Sequence, residues 1–266
     1  VRIDADHTLE QIASQMTYLR ARRGPGQHAQ LIGGEVTLLG PAAHASALEL
    51  MQRHGRKPMS MSHGDFDDDY LAALAVDPAT GRRRFDHLSF AVHIDSTMVG
   101  RRGVRRPQSE TELDPTRKRV AGMFRTLREQ HGVRSFLAHN MTVTPRNVDE
   151  VAGVVRVCRD AGFRMCSFQP AAEIGDTRRW ATDRQVVTDD RVWSAVEEGI
   201  GARLPYDALH VGDPRCNRTC WGFLVGDRYV PLLEIGRPAE RRARDVFLRC
   251  FPGVDFAAPR PLLALR

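Results

Sequence analysis

Short apolar runs alternate with helix-length amphipathic segments along residues 7–172, and this alternation restricts the possible folds most strongly. The predicted strands are Ala29–Ile32, Pro58–Ser62, His87–Ile94, Ser135–Val143 and Arg164–Phe168. The predicted helices are 7–23, Ala42–His54, Asp67–Ala75, Pro115–Gln130 and Asn147–Asp160. Strands separated by helices are typical of a parallel sheet built from βαβ units. The pattern fits an α/β barrel entered after its first strand and also a doubly wound open sheet, because periodicity does not distinguish the two.

The alternation stops after Glu173, where the chain becomes polar and later rich in Gly, Pro, Cys and Trp. We therefore expect a partial barrel in residues 1–175 and an extension packed on it in residues 176–266. No apolar run approaches the roughly 18 residues that a membrane helix requires. The first residues are polar and amphipathic, unlike a secretory leader. These features predict a cytoplasmic protein without membrane contact.

The net charge is +6, and all but two of the 39 basic residues are arginines. This preference is more typical of a GC-rich genome than of a phosphate-binding surface. We interpret the clusters Arg101–Arg106 and Arg241–Arg244 as solvated faces and expect no nucleic-acid partner. The five cysteines are too few and too irregularly spaced for a disulfide framework, which favours a reducing compartment.

Polar and small residues stand where the predicted strands end. These groups are Gly33-Gly34-Glu35, Ser62-His63-Gly64, His93-Ile94-Asp95-Ser96, His139-Asn140 and Gln169-Pro170. In parallel α/β folds the carboxyl ends of the strands form the ligand-binding rim. Two glycines are typical of a tight turn, but beside Glu35 they also suit a ligand that carries an ammonium group. His93 and Asp95 face the same way and suit either a metal pair or a hydrogen-bonded couple.

The stretch LIGGEVTLLG resembles the GGE motif of radical S-adenosylmethionine (radical SAM) enzymes. Further matches follow in order, since KPMSMSHGD, AVHIDS, HNMTVTPRNVDEVAGVV and GFRMCSFQPA resemble the third to sixth strand segments of that family. The resemblance covers residues 7–172 and implies a partial (β/α) barrel. It implies that S-adenosylmethionine is bound by Gly33, Gly34 and Glu35 at its methionine end, and by Ser62, His93, Asp95 and Asn140 at its ribose and carboxylate. Gln169 is a rim residue only.

The chain departs from the family pattern at several positions. Val36 stands where a proline usually follows the motif, His63 replaces the usual asparagine, and His93 stands where a serine is common. The family also binds a [4Fe-4S] cluster through a CxxxCxxC loop, and no cysteine precedes Cys158. We expect this loop upstream of Val1, so that the chain as given does not assemble the cluster.

The resemblance implies an activity for the complete protein. The reduced cluster would cleave S-adenosylmethionine to a 5′-deoxyadenosyl radical, which abstracts hydrogen from a substrate that the sequence does not identify. A reductant such as flavodoxin or ferredoxin is the implied partner. No metal ligand is assigned within this chain.

Other interpretations remain open from the residues themselves. A metal-dependent barrel hydrolase or isomerase could bind zinc or manganese through His63, His93, Asp95, His139 and Glu173. A degenerate barrel could instead bind a partner protein or RNA through its arginines. We interpret Cys216 and Cys220 as structural, with a redox pair or an auxiliary cluster or metal site, including His210 or Cys250, as alternatives.

Overall fold

A computed structural model of the chain describes residues 3–24, 28–172, 186–208, 217–234 and 236–250. Its helices are α1 (Ala5–Arg23), α2 (Gly40–Arg53), α3 (Asp68–Ala75), α4 (Asp114–His131), α5 (Val151–Ala161), α6 (Asp189–Ile200) and α7 (Pro238–Cys250). Its strands are β1 (His28–Leu31), β2 (Lys57–Ser62), β3 (His87–His93), β4 (Arg134–Val143), β5 (Met165–Pro170), β6 (Gly222–Val225) and β7 (Arg228–Pro231). Short 3-10 turns occupy Val36–Leu39, Thr111–Leu113 and Val148–Glu150.

The first five strands form one parallel sheet in the order β1-β2-β3-β4-β5. A doubly wound open sheet reverses its strand order at a switch point. Here the order never reverses, and right-handed crossovers in a constant direction place the connecting helices on one face of the sheet. The architecture is therefore a partial (β/α) barrel, which confirms the predicted fold class and decides against the open sheet.

The helix-covered outer face of the sheet carries the main core. Leu88, Phe90 and Val92 of β3 are buried there in one apolar cluster with Met51 of α2 and Phe124 of α4. Successive side chains of a strand alternate between faces. The residues between these, such as Ala91 and His93, therefore belong to the inner face, which the helices do not cover.

Local signals place the helix ends. The carboxylate of Asp67 accepts the N–H of Tyr70 at 3.0 Å and caps the start of α3. Gly132 takes a left-handed conformation (φ 66°) at the end of α4, which a side chain would disfavour. The helix predicted over Asn147–Asp160 begins as a 3-10 turn, so α5 itself starts at Val151.

The chain beyond β5 is described only in part. Helix α6 packs on α5, where Val192 enters the same apolar cluster as Val155. Strands β6 and β7 form an antiparallel hairpin, and within the described ranges no helix combines the length and apolar character needed to span a bilayer. The division at residues 175 and 176 stays a prediction.

Only part of the cysteine pair Cys216 and Cys220, and of the residues proposed to join it, lies within the described residues. Cys216, His210, Glu173 and the side chain of Cys250 lie outside the described residues. The thiol of Cys220 lies 3.2 Å from the hydroxyl of Tyr229, in the C-terminal hairpin. The alternatives for this cysteine pair therefore stay predictions.

The contact between α5 and α6 depends on Gly199. A Cβ at this position would lie 2.6 Å from the Cβ of Val155 and 2.7 Å from the carbonyl oxygen of Ala152. We expect Gly199→Ala to lower the free energy of unfolding by about 1–3 kcal/mol, because the two helices must separate. Urea unfolding followed by circular dichroism measures this change.

The matched control is Gly153→Ala on α5, where a Cβ would meet nothing within 4 Å. That substitution should raise the free energy of unfolding by about 0.5–1 kcal/mol, because alanine favours a helix interior over glycine. Equal effects of both substitutions would contradict the close packing of α6 on α5.

Candidate active site

The predicted rim forms at one edge of the sheet, because the strands are parallel and neighbouring in sequence order. His93 at the end of β3 lies opposite Asn140 of β4, and Asn140 lies opposite Ser167 of β5. Since paired residues in register point to the same face, these three polar side chains form a row across the inner face. One row deeper, Ala91 lies opposite Ala138, so the floor beneath the polar row is small and apolar.

The turn after β1 consists of Gly33 and Gly34. Both have positive φ values, 132° and 62°, which favour glycine. A Cβ at either position would meet nothing within 4 Å, so the space above this backbone is open. A ligand can therefore approach the peptide groups of this turn directly.

The carboxylate of Glu35 binds the end of β1 to the end of β2. Its Oε1 accepts the N–H and hydroxyl of Thr37, at 3.0 and 2.7 Å, and the hydroxyl of Ser62 at 2.8 Å. Its Oε2 accepts the N–H of His63 at 2.6 Å and lies 3.3 Å from Nδ1 of the same residue. Burial by itself raises the pKa of Glu35, but these hydrogen bonds, led by the one from His63, leave that pKa below its usual value.

These contacts define what Glu35 does in the structure. Most of its acceptor capacity is used by protein donors, and its side chain is only 14% exposed. The carboxylate thus fixes the shape of the glycine turn and adds negative charge beside it. Ser62 is engaged in the same network, since its hydroxyl also accepts the N–H of Gly64 at 3.0 Å.

Asp95 is the partner of His93. Its Oδ2 lies 2.5 Å from Nε2 of His93 and accepts the N–H of Thr142 at 2.6 Å, while Oδ1 accepts the N–H and hydroxyl of Thr97 at 2.9 and 2.6 Å. Burial alone raises the pKa of Asp95, but the hydrogen bonds from His93, Thr97 and Thr142 lower it to about 2. The buried, ionised carboxylate therefore orients the imidazole of His93, whose side chain is 31% exposed.

Asn140 is the least engaged of the predicted contacts. The residue is 6% exposed, and its carboxamide makes no hydrogen bond to another described residue. It lies between His93 and Ser167 in the polar row, so its carboxamide is available to a ligand there. Direct contact of any predicted residue with a cofactor stays a prediction.

The donors of the alternative metal site are separated by the fold. His139 lies opposite Val92 in the ladder, so it points to the outer face, where Nε of Arg117 lies 3.2 Å from its Nε2. His93 belongs to the inner face and is held by Asp95. In the part of the chain that the structure describes, no three His, Cys, Asp or Glu side chains are grouped as a metal site would require.

Three arginines at the rim were not identified from the sequence. Arg101 donates to the carbonyl oxygens of His63 and His93, and Arg119 donates to those of Gly64 and Phe66. Arg101 is only 5% exposed, so the interpretation of Arg101–Arg106 as wholly solvated is wrong for its first member. Its neighbour Arg102 is exposed, as predicted.

Arg117 is the third of these arginines and is fully buried on α4. It donates to the carbonyl oxygen of Ile94 at 3.0 Å and so reaches the end of β3. Its position belongs to the apolar stripe Leu113, Val120 and Phe124, spaced by three or four residues. That spacing is the signal that could have identified a buried arginine.

The fold and this rim define a class, a partial (β/α)-barrel protein with polar side chains at the carboxyl ends of its parallel strands. No family model and no curated protein sequence matches the chain. Several solved structures are similar to it, and two of them are described here. The first is the cellulose synthase subunit Z (CcsZ) of Clostridioides difficile, at 13% identity and a TM-score of 0.41, covering 71% of this chain and 66% of that one.

The second is TYW1 with a lysine-pyruvate adduct bound, at 12% identity and a TM-score of 0.44. That match covers 73% of this chain and 61% of the TYW1 chain. The chain thus spans less than two thirds of the length of either solved structure. Both similarities concern the path of the backbone only and say nothing about the chemistry of the site.

Proposed function

We propose that this chain forms the S-adenosylmethionine-binding part of a radical SAM enzyme. The observation that carries the proposal is the open glycine turn. Gly33 and Gly34 expose their peptide groups in a conformation that favours glycine, next to the ionised Glu35, at the carboxyl edge of a partial barrel. Backbone carbonyl oxygens beside a carboxylate suit the ammonium group of an aminoacyl ligand.

The residues present fit such a ligand. The space above both glycines is open, because a Cβ at either position would meet nothing within 4 Å. Glu35 holds the turn in place through Ser62 and His63, which keeps the backbone preorganised for binding. The row of His93, Asn140 and Ser167 offers hydrogen-bonding groups for the ribose or carboxylate across the same rim.

The chemistry would come from the cofactor. When bound, a [4Fe-4S] cluster with S-adenosylmethionine supplies one-electron cleavage and a radical that abstracts hydrogen. Of the described cysteines, Cys158 lies in α5, Cys166 lies near the start of β5, and Cys220 lies two residues before β6. The proposal therefore assigns none of these described cysteines as a cluster ligand. Its partners are a reductant such as flavodoxin or ferredoxin and a substrate of undefined class.

Binding of the methionine end is testable on the chain itself. We expect millimolar S-adenosylmethionine to shift the amide resonances of Gly33, Gly34 and His63 in a ¹H–¹⁵N NMR spectrum. Methionine amide should shift the same three resonances, because it carries the ammonium group, whereas adenosine should leave them in place. A titration gives the dissociation constant.

Glu35→Gln is the matched variant, because it removes the charge and places an amide group against protein donors. We expect it to raise the dissociation constant about tenfold, the loss of roughly one charge-assisted hydrogen bond. Glu49→Gln on α2 should leave binding unchanged. The proposal fails if saturating S-adenosylmethionine moves no rim resonance, and bound zinc that shifts His63 and His93 instead would favour the metal-dependent hydrolase.

A further inference from the structure

Arg101 lies between the ends of β2 and β3. One terminal nitrogen of its guanidinium donates to the carbonyl oxygen of His63, and the other donates to that of His93 at 2.9 Å. His93 is the last residue of β3, and His63 directly follows the last residue of β2. The planar guanidinium of arginine has donors in fixed positions, so it sets the distance between two acceptors. The single ammonium group of a lysine does not.

The burial of Arg101 is unusual for a residue in a long loop. It is 5% exposed, and the carboxylates of Asp65 and Asp95 are near enough to stabilise its charge. Its Nε is buried without a hydrogen-bond partner. Burial lowers the pKa of the guanidinium, although these two carboxylates oppose the shift. Burying a charge is costly. We therefore expect the buried position of Arg101 to have a role that an exposed arginine could not fulfil.

We propose that Arg101 is a positioning residue for the rim, and that its guanidinium fixes the spacing of His63 and His93 by bridging their carbonyl groups. Each imidazole is held from the other side by its own carboxylate, His63 by Glu35 and His93 by Asp95. Arg101 therefore joins two histidine–carboxylate pairs into one rigid unit. The inference deepens the proposed function and rests on it only for the identity of the ligand.

The first test needs no ligand. The imidazole resonances of the full chain, labelled with ¹³C-histidine, are recorded at one pH and assigned with His63→Gln and His93→Gln. In Arg101→Gln we expect the signals of both His63 and His93 to move, and those of the other eight histidines to stay in place. Arg101→Lys should keep the fold but displace one of the two signals, because one ammonium group cannot bridge both carbonyls.

The matched control is Arg102→Gln, the adjacent arginine whose side chain is 72% exposed. It should leave every imidazole signal in place. The inference is overturned if a folded Arg101→Gln protein retains the wild-type signals of His63 and His93, or if Arg102→Gln moves them equally. Should Arg101→Gln not fold, Arg101→Lys decides, since wild-type signals for both histidines in that variant refute the bridge.

The second test uses S-adenosylmethionine as the probe. We expect Arg101→Lys to raise its dissociation constant about tenfold, because a displaced rim loses roughly one well-aligned hydrogen bond. Absence of binding to the wild-type chain would refute the proposed function, while the imidazole spectra would still decide the role of Arg101. Unchanged affinity in a variant whose imidazole signals have moved would show that the rim spacing does not serve this ligand.

Discussion

Replacing Arg117 with methionine is expected to lower the free energy of unfolding by about 3–5 kcal/mol, the usual cost of breaking a buried ion pair. Its guanidinium lies 2.5 Å from Glu110 and 2.9 Å from Asp114. It also donates to the carbonyl oxygen of Ile94 and lies 3.2 Å from Nε2 of His139. Methionine has a similar volume but leaves the carboxylate of Glu110, which is 1% exposed, without its cation.

This network also holds the loop between β3 and α4. Glu110 accepts the N–H of Ser96 at 2.8 Å and the amide of Asn147 at 2.9 Å. Loss of Arg117 should therefore loosen the loop that carries Arg101, in addition to lowering stability. Urea unfolding measures the stability, and amide hydrogen exchange at Ser96 measures the loosening.

A double-mutant cycle separates the ion pair from a simple loss of packing. Arg117→Met combined with Glu110→Gln should cost less than the sum of the single substitutions, by about 2 kcal/mol, because no unpaired charge remains buried. The surface control Arg102→Met, whose ion pairs to Asp65 and Asp67 are 3.9 and 3.7 Å long, should change stability by less than about 0.5 kcal/mol. Strict additivity in the cycle would show that Arg117 and Glu110 do not act as a pair.

The protein is expected to lose stability steeply as the pH falls from 6.5 toward 4.5. His44 and His139 are buried and neutral in the folded chain. Burial lowers the pKa of His44 from 6.5 to about 4, and burial together with the charge of Arg117 lowers that of His139 to about 3. Below pH 6.5 the unfolded chain takes up two protons that the folded chain does not.

The sign and size of the pH effect on stability follow from this difference in bound protons between the unfolded and the folded chain. The stabilisation is fully present above pH 6.5 and decreases as the pH falls, by up to about 1.4 kcal/mol per pH unit for each histidine. For His44 the loss amounts to about 3 kcal/mol by pH 4. The pKa values of Glu35 and Asp95 are lowered in the folded chain. Protonation of these two groups reduces stability mainly below this pH range, where it adds to the loss caused by the histidines.

Urea unfolding at several pH values measures this slope. His44→Gln should reduce it by about half, because one of the two buried neutral histidines is gone. His44 lies 2.7 Å from the hydroxyl of Ser60 and 3.0 Å from that of Tyr70, and glutamine retains a donor and an acceptor for them. His7→Gln on the exposed face of α1 should leave the slope unchanged. A flat stability profile down to pH 4.5 would mean that neither histidine is buried as described.

Much of the sheet was predictable because each strand carries its own local pattern. The predicted runs Pro58–Ser62 and Ser135–Val143 lie within one residue of β2 and β4. The turn before Glu35 was likewise predictable from the two adjacent glycines alone. The common face of His93 and Asp95 followed from their spacing of two, and the structure joins them at 2.5 Å.

The roles of the rim side chains were harder to predict from the sequence. The hydrogen bonds of Glu35 depend largely on Ser62 and His63, more than 25 residues away along the chain. His139 and His93 both end apolar runs, yet they point to opposite faces of the sheet. Arg101 is one of several arginines in its loop, and nothing local distinguishes it from Arg102.

The sequence by itself determined the five strands of the sheet, the helices between them and the small and polar residues at the strand ends, because periodicity and turn chemistry act over a few residues. Only the tertiary structure decided the strand order, and with it the partial barrel over the open sheet. It alone also decided which carboxylates accept hydrogen bonds from the protein, and that Arg101 is buried while Arg102 is exposed. The physical reason is that these outcomes depend on hydrogen bonds and ion pairs between distant segments, whose partners exist only after the sheet has assembled.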